Sequence, residues 1–385
     1  MISILINYIF ACFKQTYTKL QLFMIVCLNL FPLIHYKYST SLSISEHSLV
    51  LPLAISFFTF QQIAFQVDLY RGKIYILDIT KNKKSFFRDY LFFVLFFPQL
   101  IAGPIVHFNE LISQIKNKSK FSINSSYLSA GTMLFSIGLF SKVVIADNLA
   151  LDSHNSWSDL FSYSFMIYFD FSGYASMAIG LALMFGVILP INFNSPYKAN
   201  NLIDFWRRWH ITLSTFLKDH IYIPLGGNKF GLKKQTIALM ATMVIGGIWH
   251  GSGITFILWG AFHGLGLVFL NLIKDFKNIP KVLGVIFTFL YVSLLWVLFF
   301  SSDFKSAVEL YKVLFSADGF SEFNYWLIVV ALLVWFLPNS TQVVDLKQNN
   351  FNLKPWYGYV TGILMFISLK FMAETPSMSF VYFNF

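Results

Sequence analysis

Long unbroken stretches of apolar residues are the feature that most limits how this chain can fold. Apolar runs cover residues 159–191, 254–273 and 282–301, and shorter runs recur between them and on either side. A helix needs about 20 residues to cross the hydrocarbon core of a bilayer, and these runs reach that length. Strands of a membrane barrel would instead alternate apolar and polar residues. The runs therefore predict membrane-spanning helices.

The composition of the chain agrees with this interpretation. Hydrophobic residues make up 56% of the 385 residues, charged residues make up 12%, and Phe alone occurs 46 times. Soluble domains carry about 25% charged residues, so the composition argues against a cytosolic enzyme or a disordered chain. We expect one all-α polytopic membrane domain over residues 1–385. It should contain about nine to eleven membrane segments, some of them broken or re-entrant, around a central tunnel.

The formal net charge of +10 has a simple explanation in such a protein. In a soluble domain it would suggest a nucleic-acid partner. Here the Lys and Arg residues lie mainly in loops between apolar runs, which is typical of loops that stay in the cytoplasm. We therefore predict that the lipid bilayer is a partner and nucleic acid is not. The expected location is multi-pass, in the inner (cytoplasmic) membrane of the cell.

One apolar run, at residues 90–108, does not suit a straight membrane helix. The loops that flank it, 68–89 and 109–126, are both basic, so charge places both of them in the cytoplasm. The run contains Pro98, Gly103 and Pro104, which weaken a continuous helix. We predict a broken or re-entrant segment, because irregular backbone survives at membrane depth only inside protein or beside a wet cavity.

Polar residues gather between positions 190 and 264, and three of them are His210, His250 and His263. An ionisable group in a membrane segment costs roughly 2.5–3.5 kcal/mol on insertion scales and is by default a candidate functional residue. His250 stands among glycines and beside Trp249. Histidine is also the side chain best suited to moving a proton near neutral pH. The alternative is a structural histidine that bonds a backbone carbonyl.

Charged residues near this centre allow two interpretations each. Arg207 and Arg208 stand between two tryptophans. They fit either an interfacial aromatic belt or contact with an anionic donor, since arginine suits phosphate groups. Asp170 lies inside an apolar run and must be paired or hydrogen-bonded there. It could orient a histidine or arginine, but a structural tie between helices is favoured.

Two other kinds of chemistry lack their usual sequence patterns. The three histidines are 40 and 13 residues apart, and the HExxH pattern of zinc enzymes does not occur. We therefore predict no metal. The GxSxG pattern of serine hydrolases is also missing from the sequence.

Several motifs in order along the chain resemble the membrane-bound O-acyltransferase superfamily. The resemblance is strongest to its bacterial branch, around the alginate O-acetylation membrane protein and the peptidoglycan O-acetylation subunit. It covers about residues 35–385. The motifs run from Leu51 to Gln61, Val67 to Gly72, Pro98 to Pro104, Phe169 to Tyr174, Asp204 to Ser214, Tyr222 to Asn228, Trp249 to Gly251 and Phe380 to Phe385.

The resemblance implies a function and places it on particular residues. It places the catalytic histidine at His250 and a second functional histidine at His210, both lining a tunnel through the membrane domain. An acyl donor thioester, such as acetyl-CoA, would enter from the cytoplasm as a substrate, with no other cofactor. The final acceptor would be a surface polysaccharide or peptidoglycan, reached through a separate extracytoplasmic O-acetyltransferase partner. We expect substrate binding at Asp170, Asp204, Arg207, Arg208 and Trp249.

The chemistry then requires an acceptor oxygen to attack a thioester carbonyl. His250 would be the general base, and His210 or another group would stabilise the oxyanion. Three alternatives remain open on sequence grounds. They are D-alanyl transfer to teichoic acid, a carrier or channel that moves a molecule without changing it, and a purely structural subunit.

Overall fold

The computed structural model describes most of the chain, and every regular element in the described part is a helix. The described residues are 2–13, 17–38, 54–74, 82–100, 103–116, 124–149, 156–273, 279–320, 323–349, 351, 353–374 and 380. The sequence motifs that fall on residues 51–53, 101–102 and 381–385 lie outside these ranges.

Six of the described helices are long and apolar enough to cross a bilayer. Two shorter apolar helices accompany them, Ile2–Cys12 and Trp326–Phe336. The predicted all-α polytopic membrane fold is therefore confirmed, while the count of nine to eleven segments and the central tunnel stay predictions. The six long helices are Lys19–Tyr38, Ser125–Leu149, Trp157–Met184, Ile254–Leu272, Lys281–Phe300 and Trp356–Glu374.

The chain divides into two compact units. The first contains Met1–Thr132 and Ala178–Pro190, and the second contains Met133–Met177 and Ile191–Phe385. That residues 1–385 act as a single domain stays a prediction. Among the described residues, the helices that lie wholly in the first unit are Ile2–Phe13, Lys19–Tyr38, Ile55–Tyr70, Lys83–Leu95, Phe97–Leu100 and Phe108–Lys116.

A buried network of amide side chains joins the first three helices of the first unit. Asn7 and Asn29 exchange two hydrogen bonds, at 2.7 and 2.9 Å. Asn7 also donates to Gln62 at 2.8 Å and accepts from Gln66 at 2.8 Å. Hydrogen bonds between polar side chains hold helices together in a bilayer, where apolar contact alone gives little preference for protein over lipid. The sequence had not indicated this network.

The structure interrupts the segment 90–108, as predicted. The helix Lys83–Leu95 ends before Phe96, the short helix Phe97–Leu100 follows, and residues 103–107 are not helical. The chain then returns to where it started, because the rings of Phe86 and Phe108 lie 5.7 Å apart. The break is thus confirmed, and the return is the geometry that a re-entrant segment requires.

The second unit holds the predicted polar centre. Close packing of glycines joins the helices Leu232–His250 and Ile254–Leu272, since a Cβ atom on Gly247 would collide with the carbonyl oxygen of Phe256. Small residues at such contacts let helix backbones approach closely. In the described part of this unit, the α-helices that follow Met184 are Leu202–Trp206, Ile211–Leu217, Leu232–His250, Ile254–Leu272, Lys281–Phe300, Phe304–Leu314, Trp326–Phe336, Ser340–Val343 and Trp356–Glu374.

Candidate functional site

The side chain of Asn192 fixes the turn that carries His210. Its Oδ1 atom accepts hydrogen bonds from the backbone N–H of Thr212 at 3.2 Å and from the Thr212 hydroxyl at 2.9 Å. The same oxygen lies 3.1 Å from Nδ1 of His210. His210 is 1% exposed and has φ 42°, in the left-handed region. Non-glycine residues in such backbone conformations cluster at functional sites.

These contacts determine which ring nitrogen of His210 carries the proton. A backbone N–H can only donate, so the Asn192 atom that faces Thr212 must be the oxygen. That oxygen accepts, so Nδ1 of His210 must be the donor. Burial lowers the pKa of His210 to about 3, and the ring is therefore neutral near pH 7. Its Nε2 atom carries a lone pair, and within the described residues it has no hydrogen-bond partner.

This tautomer bears on the oxyanion-stabilising role that the sequence left open for His210. A neutral ring whose Nδ1–H is already engaged has no second proton to donate to an oxyanion. Nε2 can instead accept a hydrogen bond from a hydroxyl group. The geometry favours the acceptor role.

His250 is the last residue of the helix Leu232–His250 and is 4% exposed. Its imidazole lies among aromatic rings, with centroid distances of 4.6 Å to Trp249, 5.1 Å to Trp259 and 5.0 Å to Phe299. These surroundings are buried and largely apolar, and electrostatic interactions are stronger in such a site than in water.

Aromatic contacts place five residues in one buried group, which we call the aromatic cluster: His210, Trp249, His250, Trp259 and His263. Trp249, which lies beside His250, connects it to His210, because the rings of Trp249 and His210 are 6.5 Å apart. Trp259, which also lies beside His250, connects it to His263, because the rings of Trp259 and His263 are 4.6 Å apart. The two histidines that the sequence singled out, 40 residues apart, thus share one neighbourhood with Trp249.

Trp259 and His263 were not among the predicted site residues. The indole N–H of Trp259 is buried and has no acceptor in the part of the chain that the structure describes. An unsatisfied buried donor costs about 1–3 kcal/mol and calls for an explanation. Trp206 Nε1 donates to His263 Nδ1 at 3.3 Å, so the neutral His263 ring carries its proton on Nε2. The sequence had marked His263 only as one of three histidines in the polar centre. Its spacing four residues after Trp259 in an apolar run is also typical of packing.

Of the predicted charged residues, Arg208 and Asp204 bind each other. Arg208 Nε lies 2.8 Å from Asp204 Oδ1, and its Nη1 donates to the carbonyl oxygen of Asn194 at 3.3 Å. These bonds brace the turn before His210. Arg207 is exposed and forms no ion pair with any residue that the structure describes. Its charge is therefore available to a ligand, whereas that of Arg208 is compensated.

Asp170 belongs to a buried ion cluster with Lys142 and Asp147. Lys142 Nζ lies 3.0 Å from Asp170 Oδ1 and also forms an ion pair with Asp147. Lys142 stands in a π-helical stretch, Ser141–Ala146, inside the long helix Ser125–Leu149. This arrangement is the structural tie between helices that the sequence favoured, and a substrate-binding role for Asp170 stays a prediction. Lys142 and Asp147 were missed, although they are the two charged residues of the apolar run 127–149.

Comparison with known families finds one for the part of the chain that carries this site. Residues 153–302 match the model of MBOAT, the membrane-bound O-acyltransferase family. The chain contains a membrane-bound O-acyltransferase domain. All the residues predicted to bind substrate or to be catalytic lie inside that matched region, from Asp170 to His250.

Curated proteins that are similar to this chain carry names that refer to different polymers. A peptidoglycan O-acetyltransferase of Helicobacter pylori is 44% identical over 310 residues, which cover 71% of this chain and 58% of the relative. A probable alginate O-acetylase AlgI of Pseudomonas aeruginosa is 39% identical, over 70% of this chain and 52% of the relative. A teichoic acid D-alanyltransferase of Bacillus subtilis is 27% identical, over 64% of this chain and 68% of the relative. The chain thus spans a little over half the length of the two more similar relatives.

Proposed function

We propose that this protein is a membrane-embedded O-acyltransferase that passes acetyl groups from a thioester donor toward the hydroxyl groups of a surface polysaccharide or peptidoglycan. The observation that carries the proposal is the burial of His210 and His250 in one aromatic cluster inside the family region. The names of the two relatives at 44% and 39% identity favour acetyl transfer. D-alanyl transfer to teichoic acid has weaker support, from a relative at 27%.

In the proposed reaction His250 is the general base. A hydroxyl oxygen of the acceptor attacks the carbonyl carbon of the thioester, and its proton moves to His250 as the new C–O bond forms. The tetrahedral intermediate then collapses, the C–S bond breaks, and the departing thiolate takes the proton from His250. General base catalysis of this kind contributes roughly 10²–10⁴-fold to the rate.

Two further members of the aromatic cluster complete the site. His210 accepts a hydrogen bond at Nε2 from another hydroxyl of the acceptor and so orients it. The buried indole N–H of Trp259 binds the oxyanion as negative charge develops on the carbonyl oxygen.

Arg207 contacts the phosphate groups of the donor at the cytoplasmic side, because it is an exposed cation with no competing carboxylate among the described residues. A separate extracytoplasmic transferase completes delivery to the polymer, and the protein resides in the inner membrane.

A labelled acetyl thioester tests the proposal in membranes that contain the full chain. We expect label to appear on an acceptor or on a partner protein, and we expect His250→Ala to abolish this transfer at unchanged protein level. His35→Ala, a change at a histidine outside the cluster, is the matched control and should retain transfer. If the donor crosses the membrane intact and the label is never transferred, the protein is a carrier and the proposal fails.

Trp259→Phe tests the oxyanion assignment separately, because it keeps an aromatic ring and removes the N–H. Loss of one oxyanion donor lowers kcat by about 10²–10³-fold, with little change in KM. Unchanged kcat in the Trp259→Phe protein would show that the oxyanion is stabilised by another group.

A further inference from the structure

A cavity of about 500 Å³ opens in the first unit, beside the break in the segment 90–108. Leu91 and Phe97 line it from the two sides of the break, Ile115 from the helix Phe108–Lys116, and Phe185 and Val187 from the chain after the helix Trp157–Met184. Its volume lies within the range of about 300–1,000 Å³ that is usual for ligand sites. The interruption of the helix at Phe96 thus leaves a space large enough for a small ligand.

The lining of this cavity is amphiphilic. Eight of its nine lining residues are apolar, and the ninth is Arg88. The Arg88 side chain is 78% exposed, and Phe97 and Phe185 are about half exposed, so the cavity is accessible from outside the unit. A matching occupant is apolar along most of its length and anionic at one end.

The charges around Arg88 also favour an occupant with an anionic end. The nearest carboxylate, that of Asp89, lies 3.7 Å from Arg88 but only 2.9 Å from Lys116 Nζ, so Lys116 is its closer partner. Lys83 and Lys84 are exposed in the first turn of the same helix. Two cations, Arg88 and Lys116, thus approach the Asp89 carboxylate, and the helix that carries Arg88 begins with two more. Both basic loops here are predicted to be cytoplasmic, and the cytoplasmic leaflet carries anionic lipids.

We propose that this cavity binds one anionic phospholipid. An acyl chain lies along Leu91, Ile115 and Val187, and the phosphate group bonds the Arg88 guanidinium, which can donate two parallel hydrogen bonds to it. The bound lipid covers the apolar side chains at the break and stabilises the broken segment. This inference does not depend on the proposed acyltransferase activity, because none of its residues belongs to the aromatic cluster.

Thermal unfolding of the purified full-length protein in detergent tests the inference. Added phosphatidylglycerol should raise the midpoint by several degrees more than phosphatidylcholine with the same acyl chains. Arg88→Gln should remove this preference. Lys305→Gln, which deletes one exposed cation of the second unit, should retain it. Native mass spectrometry of the same samples should show one retained phosphatidylglycerol on the wild type and none on the Arg88→Gln protein.

A second variant tests the apolar part of the site. Leu91→Trp places a bulky ring in the cavity and should reduce the protection given by both lipids, with a free-protein midpoint close to that of the wild type. Equal protection by the two lipids in the wild type would overturn the proposal. So would a phosphatidylglycerol preference that survives Arg88→Gln, or one that Lys305→Gln removes equally well.

Discussion

Lys142 Nζ lies 3.0 Å from Asp170 Oδ1, and both side chains are almost completely buried. The same ammonium group forms an ion pair with Asp147. One cation thus serves two carboxylates in the interior of a membrane protein. Its removal leaves two buried negative charges without their counter-ion.

We predict that Lys142→Met destabilises the protein strongly. Loss of one partner from a buried ion pair costs about 3–5 kcal/mol, since the remaining charge stays desolvated. Thermal unfolding in detergent should show a large drop in the midpoint. The triple variant Lys142→Met, Asp147→Asn, Asp170→Asn should recover much of it, because no buried charge is left. An unchanged midpoint in Lys142→Met would contradict the assignment of this cluster as structural.

The glycine contact between the helices Leu232–His250 and Ile254–Leu272 can be tested with two Gly→Ala changes that should alter stability in opposite directions. Gly247→Ala should lower both stability and acyl transfer, because its Cβ would collide with backbone and displace the helix that ends at His250. Gly358→Ala meets nothing within 4 Å and should stabilise the helix Trp356–Glu374 by about 0.5–1 kcal/mol. Equal effects of the two changes on the thermal midpoint would show that this close helix contact does not contribute to stability.

Arg207 and Arg208 should behave differently despite being adjacent. Arg208→Gln removes the bond to Asp204 and should lower the thermal midpoint and the activity together. Arg207→Gln alters an exposed side chain, so stability should change by less than about 0.5 kcal/mol. If Arg207 contacts the donor, its replacement raises KM for the thioester and leaves the midpoint unchanged. Steady-state kinetics with each protein would separate the two roles, and identical behaviour would contradict this division.

His107 gives a prediction about pH. Its Nδ1 lies 2.6 Å from Asp68 Oδ2, and this hydrogen bond to the carboxylate raises the pKa of His107 above its usual value. A group with a raised folded-state pKa stabilises the protein fully below its unfolded pKa of about 6.5, and the gain is lost as pH rises through the folded value. The midpoint difference between wild type and His107→Gln should therefore be largest near pH 6 and shrink toward pH 9. With Asp68→Asn in both proteins, the difference should become nearly independent of pH.

The return of the segment 90–108 predicts that its two flanks face the same side of the membrane. Single cysteines replacing Lys84 and Ser113, in a chain whose Cys12 and Cys27 are changed to Ser, would report this. A membrane-impermeant maleimide should label both positions only after permeabilisation of the cells. Labelling of one position alone in intact cells would exclude a re-entrant segment.

Much of this fold follows from sequence because apolar length is a local property. The run at 282–301 becomes the helix Lys281–Phe300, and that at 254–273 becomes Ile254–Leu272. The break near Pro98 could also be predicted, since proline removes a backbone donor within the helix. His250 stood out because Trp249 and the nearby glycines are its neighbours in sequence as well as in space.

Partnerships between distant residues could not be predicted in the same way. Lys142 and Asp170 are 28 residues apart, and nothing in either local sequence identifies the other as its partner. The tautomer of His210 depends on Asn192, 18 residues away, and on a backbone N–H that only the folded turn brings to it. For Trp259 the sequence offered only its spacing from His263, and a tryptophan in an apolar helix is usually a packing residue. Its buried N–H becomes informative only when its surroundings are known.

His250 is the final residue of its helix, and this position has an electrical consequence. The peptide dipoles of an α-helix sum to about half a negative charge at the C-terminal end, where the last carbonyl groups have no partner within the helix. A protonated ring there is stabilised, whereas a negatively charged group would be repelled. The helix Leu232–His250 thus supplies a permanent field at its end that attracts a positive charge held there. When His250 takes up a proton during the proposed reaction, the helix dipole offsets part of the free-energy cost of keeping that charge away from water.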